Sequence, residues 1–208
     1  MSTEETGARL YLITPALSAP STFADALSAA LDAAPVACVR LRTATEDEDM
    51  IRRIADQLRE VCHPRDVALV LTDHFRLVSS LGIDGVHLAN PRLSVRDARK
   101  ALGEDAIIGA FGGASRHQGM TLGEAGADYV ALGPVMANGL DDDKVAEPAL
   151  FEWWAEMIET PSVAEGGMTL SLAEALSAHA DFIAADSAVW DHAGGPGAGC
   201  AALAAVLV

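Results

Sequence analysis

Short apolar runs alternate along the whole chain with longer, alanine-rich segments. The short runs are rich in β-branched residues and show little polar alternation, which is typical of strands buried on both faces. Eight such runs predict strands over Arg9–Thr14, Val36–Arg42, Val67–Thr72, Gly85–Ala89, Ile107–Phe111, Tyr129–Gly133, Ser162–Gly166 and Phe182–Ser187. In the longer segments apolar positions recur every three or four residues, which predicts helices that include Phe23–Ala34, Glu46–Val61, Val95–Leu102 and Leu172–His179.

Eight strand–helix units share 208 residues, or about 26 residues a unit. This spacing predicts a single-domain α/β fold, a (βα)8 TIM barrel over residues 1–208, with residues 1–8 as a flexible N-terminal tail. A doubly wound open sheet is the alternative, but such sheets usually carry a glycine-rich turn after the first strand. The corresponding segment here, Thr14–Leu17, contains no glycine, so the barrel is favoured.

Helix N-cap residues and a repeated aspartate motif support the division of the chain into strand–helix units. Residues of the N-cap type precede three predicted helices, at Thr45, Ser94 and Ser115. A short motif with a central aspartate is repeated before the fourth, sixth and eighth strands, around Asp84, Asp128 and Asp181. Two segments without periodicity, Asn138–Glu147 and the glycine-rich Gly194–Gly199, are predicted as loops, the second of them flexible.

Charge and composition narrow the class of partner. The 14 Lys and Arg against 30 Asp and Glu give a net charge of −16, which argues against nucleic acid and anionic membranes as partners. The apolar runs are too short to span a bilayer, and the acidic N-terminus does not resemble a secretory signal. The three cysteines, Cys38, Cys62 and Cys200, lack disulfide or metal-site spacing, so we expect core residues in a reducing cytoplasm.

Active sites of TIM barrels lie at the carboxyl ends of the strands. In this sequence two arginines lie at that end of the second predicted strand. Alternation along that strand places Arg40 and Arg42 on one face, and we expect this face to line the barrel mouth. Two such cations need an anion or carboxylates. An anionic ligand is favoured, and an internal ion pair with Asp73 or Glu165 is the alternative.

The last two strands end in residues that suit a phosphate. Gly166, Gly167 and Ser187 lie where barrels often bind phosphate through backbone N–H groups. Asp73 directly follows the third strand, where it could bind Mg²⁺ or cap the following helix. His87, alone in an apolar strand, is predicted to be a core histidine.

The segments LYLIT, VRLR, LVLTDHFRLVSSLGIDGVHLA, IIGAF, GADYVALGPV, AEGGM and ADSAV occur in the order and spacing of one known family. From Arg9 to Trp190 the chain resembles the thiamine phosphate synthase and thiazole tautomerase superfamily. The resemblance implies an enzyme that joins a pyrimidine methyl pyrophosphate to a thiazole phosphate and releases pyrophosphate. Ionisation would leave a pyrimidine cation, which the thiazole nitrogen captures.

The resemblance also implies roles for individual positions. Arg42 and Asp73 correspond to catalytic residues, and Asp73 to a Mg²⁺ ligand. Further positions correspond to substrate- and phosphate-binding residues: Arg40, Thr72, Arg92, Lys144, Gly166, Gly167 and Ser187. The chain departs from the family where Arg40 replaces a glutamine, Ala44 a lysine and Arg92 a second metal-binding aspartate. We therefore expect Mg²⁺ binding to be weakened, and Arg40, Arg42 and Arg92 to bind phosphate groups without the metal through their guanidinium forks.

The sequence leaves four functions open. The first is an active thiamine phosphate synthase, and the second is an impaired member that binds a phosphorylated thiazole or thiamine-like ligand without turnover. The third is a thiazole tautomerase, which would need a histidine near the end of the fifth strand, where His117 is closest. The fourth is another barrel enzyme that acts on phosphorylated substrates. In each case phosphorylated small molecules are the expected ligands, and the alanine-rich outer helices could pack against a second copy in a homodimer.

Overall fold

A computed structural model describes residues 7–137 and 144–207 of the chain. Eight parallel strands pair in sequence order, and the eighth pairs with the first, so the sheet closes into a barrel. The strands are β1 Arg9–Leu17, β2 Val36–Thr43, β3 Ala68–Thr72, β4 Gly85–Leu88, β5 Ile107–Gly113, β6 Tyr129–Leu132, β7 Ser162–Ala164 and β8 Phe182–Ala185. The predicted (βα)8 TIM barrel is confirmed. Strand β1 extends past its predicted end at Thr14 as far as Leu17, so the segment compared above with a turn is part of the strand.

Helices follow the strands on the outside of the barrel. They are α1 Phe23–Ala33, α2 Glu48–Cys62, α3 Val78–Leu81, α4 Val95–Leu102, α5 Arg116–Glu124, α6 Pro148–Met157, α7 Leu170–Leu176, α8 Ser187–Trp190 and α9 Gly195–Ala204. Short 3-10 turns cover His63–Arg65 and Phe75–Leu77. None of the helices in the described ranges is long and apolar enough to cross a bilayer.

Alternation along the strands divides the core into two layers. Outward side chains such as Leu12, Leu41 and Leu71 pack against the helices in the larger cluster. Inward side chains fill the barrel in a smaller cluster that includes Tyr11, Tyr129 and Val70. The free thiols of Cys38, Cys62 and Cys200 are buried, as expected. Burial raises the pKa of Cys62 to about 12 and that of Cys200 to about 11, so these thiols behave as core groups.

The repeated aspartate motif has the same structural role at each of its positions. Asp84 Oδ2 accepts the backbone N–H of Leu69 at 2.7 Å, and Asp128 Oδ2 accepts that of Ile108 at 2.6 Å. Asp181 Oδ2 accepts the N–H of Ser162 at 2.7 Å. Each aspartate precedes an even-numbered strand and bonds to the neighbouring odd-numbered one, so the repeat holds successive strands together at the amino end of the barrel.

Two of the three predicted N-caps are confirmed. Ser94 and Ser115 accept the N–H groups of Asp97 and Gln118, three residues on. Thr45 is not the cap of α2. Asp47 takes that place and accepts the N–H groups of Asp49 and Met50, since its carboxylate lies directly before the first helical turn.

The prediction of a flexible loop over Gly194–Gly199 is wrong, because residues from Gly195 onward form α9. Its glycines serve close packing. A Cβ on Gly197 would lie 3.0 Å from Ala29 O of α1, and one on Gly199 would lie 3.0 Å from Ala188 O of α8. Residues 144–147 of the predicted loop Asn138–Glu147 have no regular structure, and its residues 138–143 lie outside the described ranges, as do residues 1–6 of the predicted tail.

Candidate active site

A buried ion pair crosses the carboxyl end of the barrel. Arg40 is on β2 and Glu165 directly follows β7, and Arg40 Nη1 donates to Glu165 Oε2 at 2.7 Å. Their side chains are only 8% and 12% exposed. Burial by itself lowers the pKa of Arg40, but the charge and hydrogen bond of Glu165 together with the nearby Tyr11 and Tyr129 outweigh it, so the pKa of Arg40 is raised. Arg40 is therefore charged and electrically matched by Glu165.

A chain of three hydrogen-bonded side chains lies deeper in the barrel. The hydroxyl groups of Tyr11 and Tyr129 are 2.8 Å apart, and His87 Nδ1 is 3.1 Å from Tyr129 Oη. The imidazole and the Tyr129 ring are stacked. Burial, together with the charge of Arg40, holds the pKa of His87 well below its usual value, while burial raises the pKa values of both tyrosines. The three groups are therefore neutral near pH 7.

Three buried polar atoms of the ion pair, the hydrogen-bonded side chains and a neighbouring threonine have no hydrogen-bond partner among the described residues. They are Arg40 Nε, Thr72 Oγ1 and His87 Nε2. The three residues belong to consecutive strands β2, β3 and β4, and Thr72 is the register partner of His87. Buried polar atoms normally find a partner, so this wall of the barrel is suited to a group that the protein itself does not supply.

Asp73 fixes the loop that follows β4. Its Oδ1 accepts the N–H groups of Ala89 at 2.7 Å and Asn90 at 2.9 Å. Its backbone is left-handed, with φ 64°, a region that Asp and Asn adopt more readily than most residues. The alternative of a helix cap is wrong, because His74 precedes the 3-10 turn and no side chain caps it.

Arg42 differs from Arg40 although the two share a strand face. Arg42 is exposed near the end of β2, and its backbone N–H donates to Thr14 Oγ1 at 3.0 Å. Within residues 7–137 and 144–207 it makes no ion pair. Of the two arginines, Arg42 is thus the one with an uncompensated charge at the rim.

The family model described as thiamine monophosphate synthase matches residues 10–189. The chain belongs to this family. A thiamine-phosphate synthase of Rhodospirillum centenum is 45% identical over 198 residues, which cover 94% of this chain and 96% of the relative. Another from Erythrobacter litoralis is 40% identical over 196 residues, covering 91% and 92%.

Solved structures support the fold. A thiamine phosphate pyrophosphorylase from Pyrococcus furiosus has a TM-score of 0.82 at 22% identity, covering 95% of this chain and 94% of its own. A 3-hexulose-6-phosphate synthase has a TM-score of 0.65 at 20% identity, covering 95% and 99%. At these identities the likeness concerns the barrel fold alone.

Within this family member, the two glycines expected to cradle phosphate approach protein atoms. Gly166 and Gly167 have φ values of 90° and 79°, which favour glycine. A Cβ on Gly166 would lie 2.9 Å from Pro134, and one on Gly167 would lie 2.8 Å from Met136 Cβ. The glycines are therefore required for packing against the loop after β6, and their contact with phosphate stays a prediction.

The remaining predicted phosphate ligands lie at exposed positions. Ser187 begins the four-residue helix α8, with its hydroxyl 3.4 Å from Asp186 Oδ1, and Lys144 is exposed next to residues outside the described ranges. Arg92 lines a cavity of about 450 Å³ together with Arg76 and Lys100. Neither Arg40 nor Arg42 lines this cavity, so the structure does not bring the three expected guanidinium groups together in it.

The residues present can accommodate Mg²⁺ only in part. No three His, Cys, Asp or Glu side chains in the described ranges are grouped as a metal site. Mg²⁺ in phosphate chemistry is commonly held by one or two carboxylates together with substrate oxygens. Asp73 fits this pattern, since both hydrogen bonds of its carboxylate use Oδ1 and leave Oδ2 for a ligand.

The hydrogen bond between His87 and Tyr129 does not follow from the sequence pattern. Glu165 entered only as an alternative partner for Arg40, and His87 was assigned to the core, where it is buried but has an unpartnered Nε2. The available signal was polarity at inward positions. A carboxylate beside the Gly-Gly turn and a histidine in an apolar strand both require a polar partner once the barrel closes.

Proposed function

We propose that this chain is a thiamine-phosphate synthase. The observation that carries the proposal is the 45% identity to the Rhodospirillum centenum synthase over nearly the full length of both chains. Its reaction would join a pyrimidine methyl pyrophosphate to a thiazole phosphate. The bond between the methylene carbon and the pyrophosphate oxygen breaks with both electrons going to pyrophosphate, and the lone pair of the thiazole nitrogen forms the new C–N bond. Thiamine phosphate and pyrophosphate are the products.

The charge distribution at the barrel mouth supports this chemistry. Catalysis of an ionisation depends on stabilising the departing anion while the ring becomes cationic. With a net charge of −16, the protein must hold that anion by local cations. Arg42 is exposed and unpaired within the described ranges, so it would bind the pyrophosphate, whereas the charge of Arg40 is matched by Glu165.

Asp73 would hold Mg²⁺ in this enzyme through Oδ2. When bound, Mg²⁺ neutralises charge on the departing pyrophosphate. Asp73 itself keeps the loop at Ala89 and Asn90 in place through Oδ1. By resemblance, Arg92 occupies the position of a second metal ligand. We therefore propose that positively charged side chains of this chain, Arg92 among them, supply part of the charge neutralisation that Mg²⁺ would provide. Calorimetry of pyrophosphate binding in EDTA and in excess Mg²⁺ tests this, and strict dependence on Mg²⁺ would contradict it.

The alternatives have less support. The impaired-member hypothesis rests on the substitutions at Arg40, Ala44 and Arg92, and none of them removes Asp73 or the exposed Arg42. For a tautomerase, His117 would have to reach the barrel mouth, but it is exposed on α5, beyond the end of β5. We also propose that two copies of the chain pack through their outer helices as a homodimer and that the protein is located in the cytoplasm.

A fluorescence assay of product formation tests the proposed function. Purified protein is incubated with both substrates and Mg²⁺, and thiamine phosphate is followed by its fluorescence after oxidation. We expect turnover by the wild type and at least a 100-fold loss of kcat/KM in Arg42→Ala. Arg53→Ala removes the same charge from an exposed position on α2 and should leave turnover unchanged. Thermal stabilisation by the substrates without turnover would instead support the impaired member.

A further inference from the structure

Three cationic side chains line one cavity where the 3-10 turn Phe75–Leu77 meets α4. Arg76 belongs to the turn, Lys100 to α4, and Arg92 to the loop before this helix. Asp97 is the one carboxylate among the described residues that line the cavity. The whole chain has 30 acidic residues against 14 basic ones, so this cavity has the opposite balance of charge. Such a local concentration of positive charge attracts anions.

The charges of the three cations are available to a ligand. Within residues 7–137 and 144–207 none of them forms an ion pair, and all three side chains are exposed. By contrast, Arg65 is paired with Asp32 and Arg99 with Asp128. Like charges around one cavity repel each other, so an anion placed among them is favoured, and guanidinium groups bind phosphate oxygens with good geometry.

The rest of the lining is apolar. Phe75, Leu93 and Ala101 border the cavity, whose volume of about 450 Å³ is in the range of small-molecule sites, about 300–1,000 Å³. The guanidinium carbon of Arg76 lies 5.7 Å from the centre of the Phe75 ring. Aromatic surface and positive charge are thus adjacent, which suits a ligand that combines a planar ring with an anionic group.

We propose that this cavity is a second ligand site, separate from the catalytic centre, for a phosphorylated compound with a planar ring. The three cations bind the phosphate, and Phe75 and Leu93 contact the ring. Three cations against the one carboxylate of Asp97 leave two positive charges, and a phosphate monoester carries a charge of about −1.5 to −2 at pH 7. Neither Arg42 nor Asp73 lines the cavity, so the ligand does not occupy the place of the substrates.

Asp73 links this cavity to the catalytic centre. Its backbone carbonyl accepts the N–H of Phe75 at 2.9 Å, and its Oδ1 accepts the N–H of Asn90 at 2.9 Å. Asn90 Oδ1 in turn accepts the backbone N–H of Arg92 at 3.0 Å. A ligand phosphate would also neutralise Arg92, whose charge the proposed function directs to the departing pyrophosphate. Resting on that proposed function, we expect occupancy of the cavity to inhibit the enzyme.

Calorimetry with phenyl phosphate, a planar ring with one phosphate, tests the site. R76Q/K100Q should weaken binding about tenfold or more, because charge-assisted hydrogen bonds to the phosphate are lost. The control R53Q/R96Q removes the same charges from exposed positions outside the cavity and should keep the affinity within about threefold. Thermal unfolding shows that both variants are folded. Equal weakening in the two variants would reduce the effect to net charge and overturn the proposal.

Two further comparisons locate the probe and its ring. Arg42→Ala should leave the affinity for phenyl phosphate within about threefold of the wild type, and a loss there with none in R76Q/K100Q would place the probe at the barrel mouth and overturn the proposal. Inorganic phosphate should bind about tenfold more weakly than phenyl phosphate, and Phe75→Leu should reduce this difference. Equal affinity for the two anions would indicate an adventitious ion only and would also overturn it.

Enzyme assays test the link to catalysis. Phenyl phosphate should lower the turnover of the wild type even at saturating thiazole phosphate. R76Q/K100Q should keep the wild-type turnover and need about tenfold more phenyl phosphate for the same inhibition. Inhibition that excess thiazole phosphate relieves would place the probe in the catalytic centre and overturn the proposal. A wild type without turnover would overturn the proposed function, whereas calorimetry would still decide whether the cavity binds its ligand.

Discussion

Gly109 on β5 lies against the ring of Tyr129 on the neighbouring strand β6, and the two residues are register partners. A Cβ added at Gly109 would overlap the Tyr129 ring at Cζ and the hydroxyl oxygen. The absence of a side chain at residue 109 thus creates the space in which Tyr129 reaches Tyr11 and His87. A glycine at the centre of a strand is unfavourable by itself, and here it makes the polar chain inside the barrel sterically feasible.

We expect Gly109→Ala to destabilise the fold by about 1–3 kcal/mol, the usual cost of an overpacked core. The ring of Tyr129 would have to shift, which would break its hydrogen bonds to Tyr11 and His87. Denaturant unfolding measures the loss. In a Tyr129→Ala background the same substitution should cost much less, because the overlapping ring is gone. An equal cost in both backgrounds would contradict the steric explanation.

Asp128 should contribute more to stability than its exposed position suggests. Asp128→Ala leaves the buried N–H of Ile108 without its acceptor, at a cost of about 1–3 kcal/mol. Asp128→Asn keeps an amide oxygen there and should lose less. The control is Asp32→Ala, which breaks an exposed pair with Arg65 but affects no buried backbone group. Chemical denaturation compares the three variants, and an equal loss in Asp128→Ala and Asp32→Ala would contradict this role.

His87 should make the fold less stable in weak acid. Its pKa in the folded protein lies well below its usual value, so below about pH 6.5 the unfolded chain binds a proton that the folded chain does not. Stability from this group is complete above that pH and falls by up to about 1.4 kcal/mol per pH unit below it.

The measurement is the free energy of unfolding between pH 5 and 8 for the wild type and His87→Gln. We expect a shallower pH dependence in the variant. His117→Gln, at an exposed position on α5, serves as the control and should retain the wild-type slope. Parallel curves for the wild type and His87→Gln would show that His87 titrates alike in both states.

Asp73 should separate into a structural and a metal-binding role. Asp73→Asn keeps an oxygen for the N–H groups of Ala89 and Asn90 and tolerates the left-handed backbone. We expect its stability to be near that of the wild type and its half-saturating Mg²⁺ concentration to rise at least tenfold. Asp73→Ala should lose both functions, with a stability cost of about 1–3 kcal/mol. A wild-type Mg²⁺ dependence in Asp73→Asn would remove Asp73 as the metal ligand.

The sequence was sufficient for the architecture. Continuous apolar strands alternating with amphipathic helices require a parallel sheet covered on one side, and the repeated Asp84, Asp128 and Asp181 mark where alternate strands begin. The last helix was less predictable. The run Gly194–Gly199 has the composition of a flexible loop, but close contact with α1 and α8 favours small residues in a helix there.

The sequence by itself determined the barrel, because eight strand–helix units share the chain. It also determined the inward direction of Arg40 and the position of Asp73 after β3, because both follow from the pattern of a single strand. Only the tertiary structure decided that Glu165 neutralises Arg40, that Tyr129 reaches His87 past Gly109, and that Arg42 remains exposed. These relationships join strands far apart in sequence, such as residues 125 positions apart for the ion pair. Their distances are set by barrel closure, which no local pattern encodes.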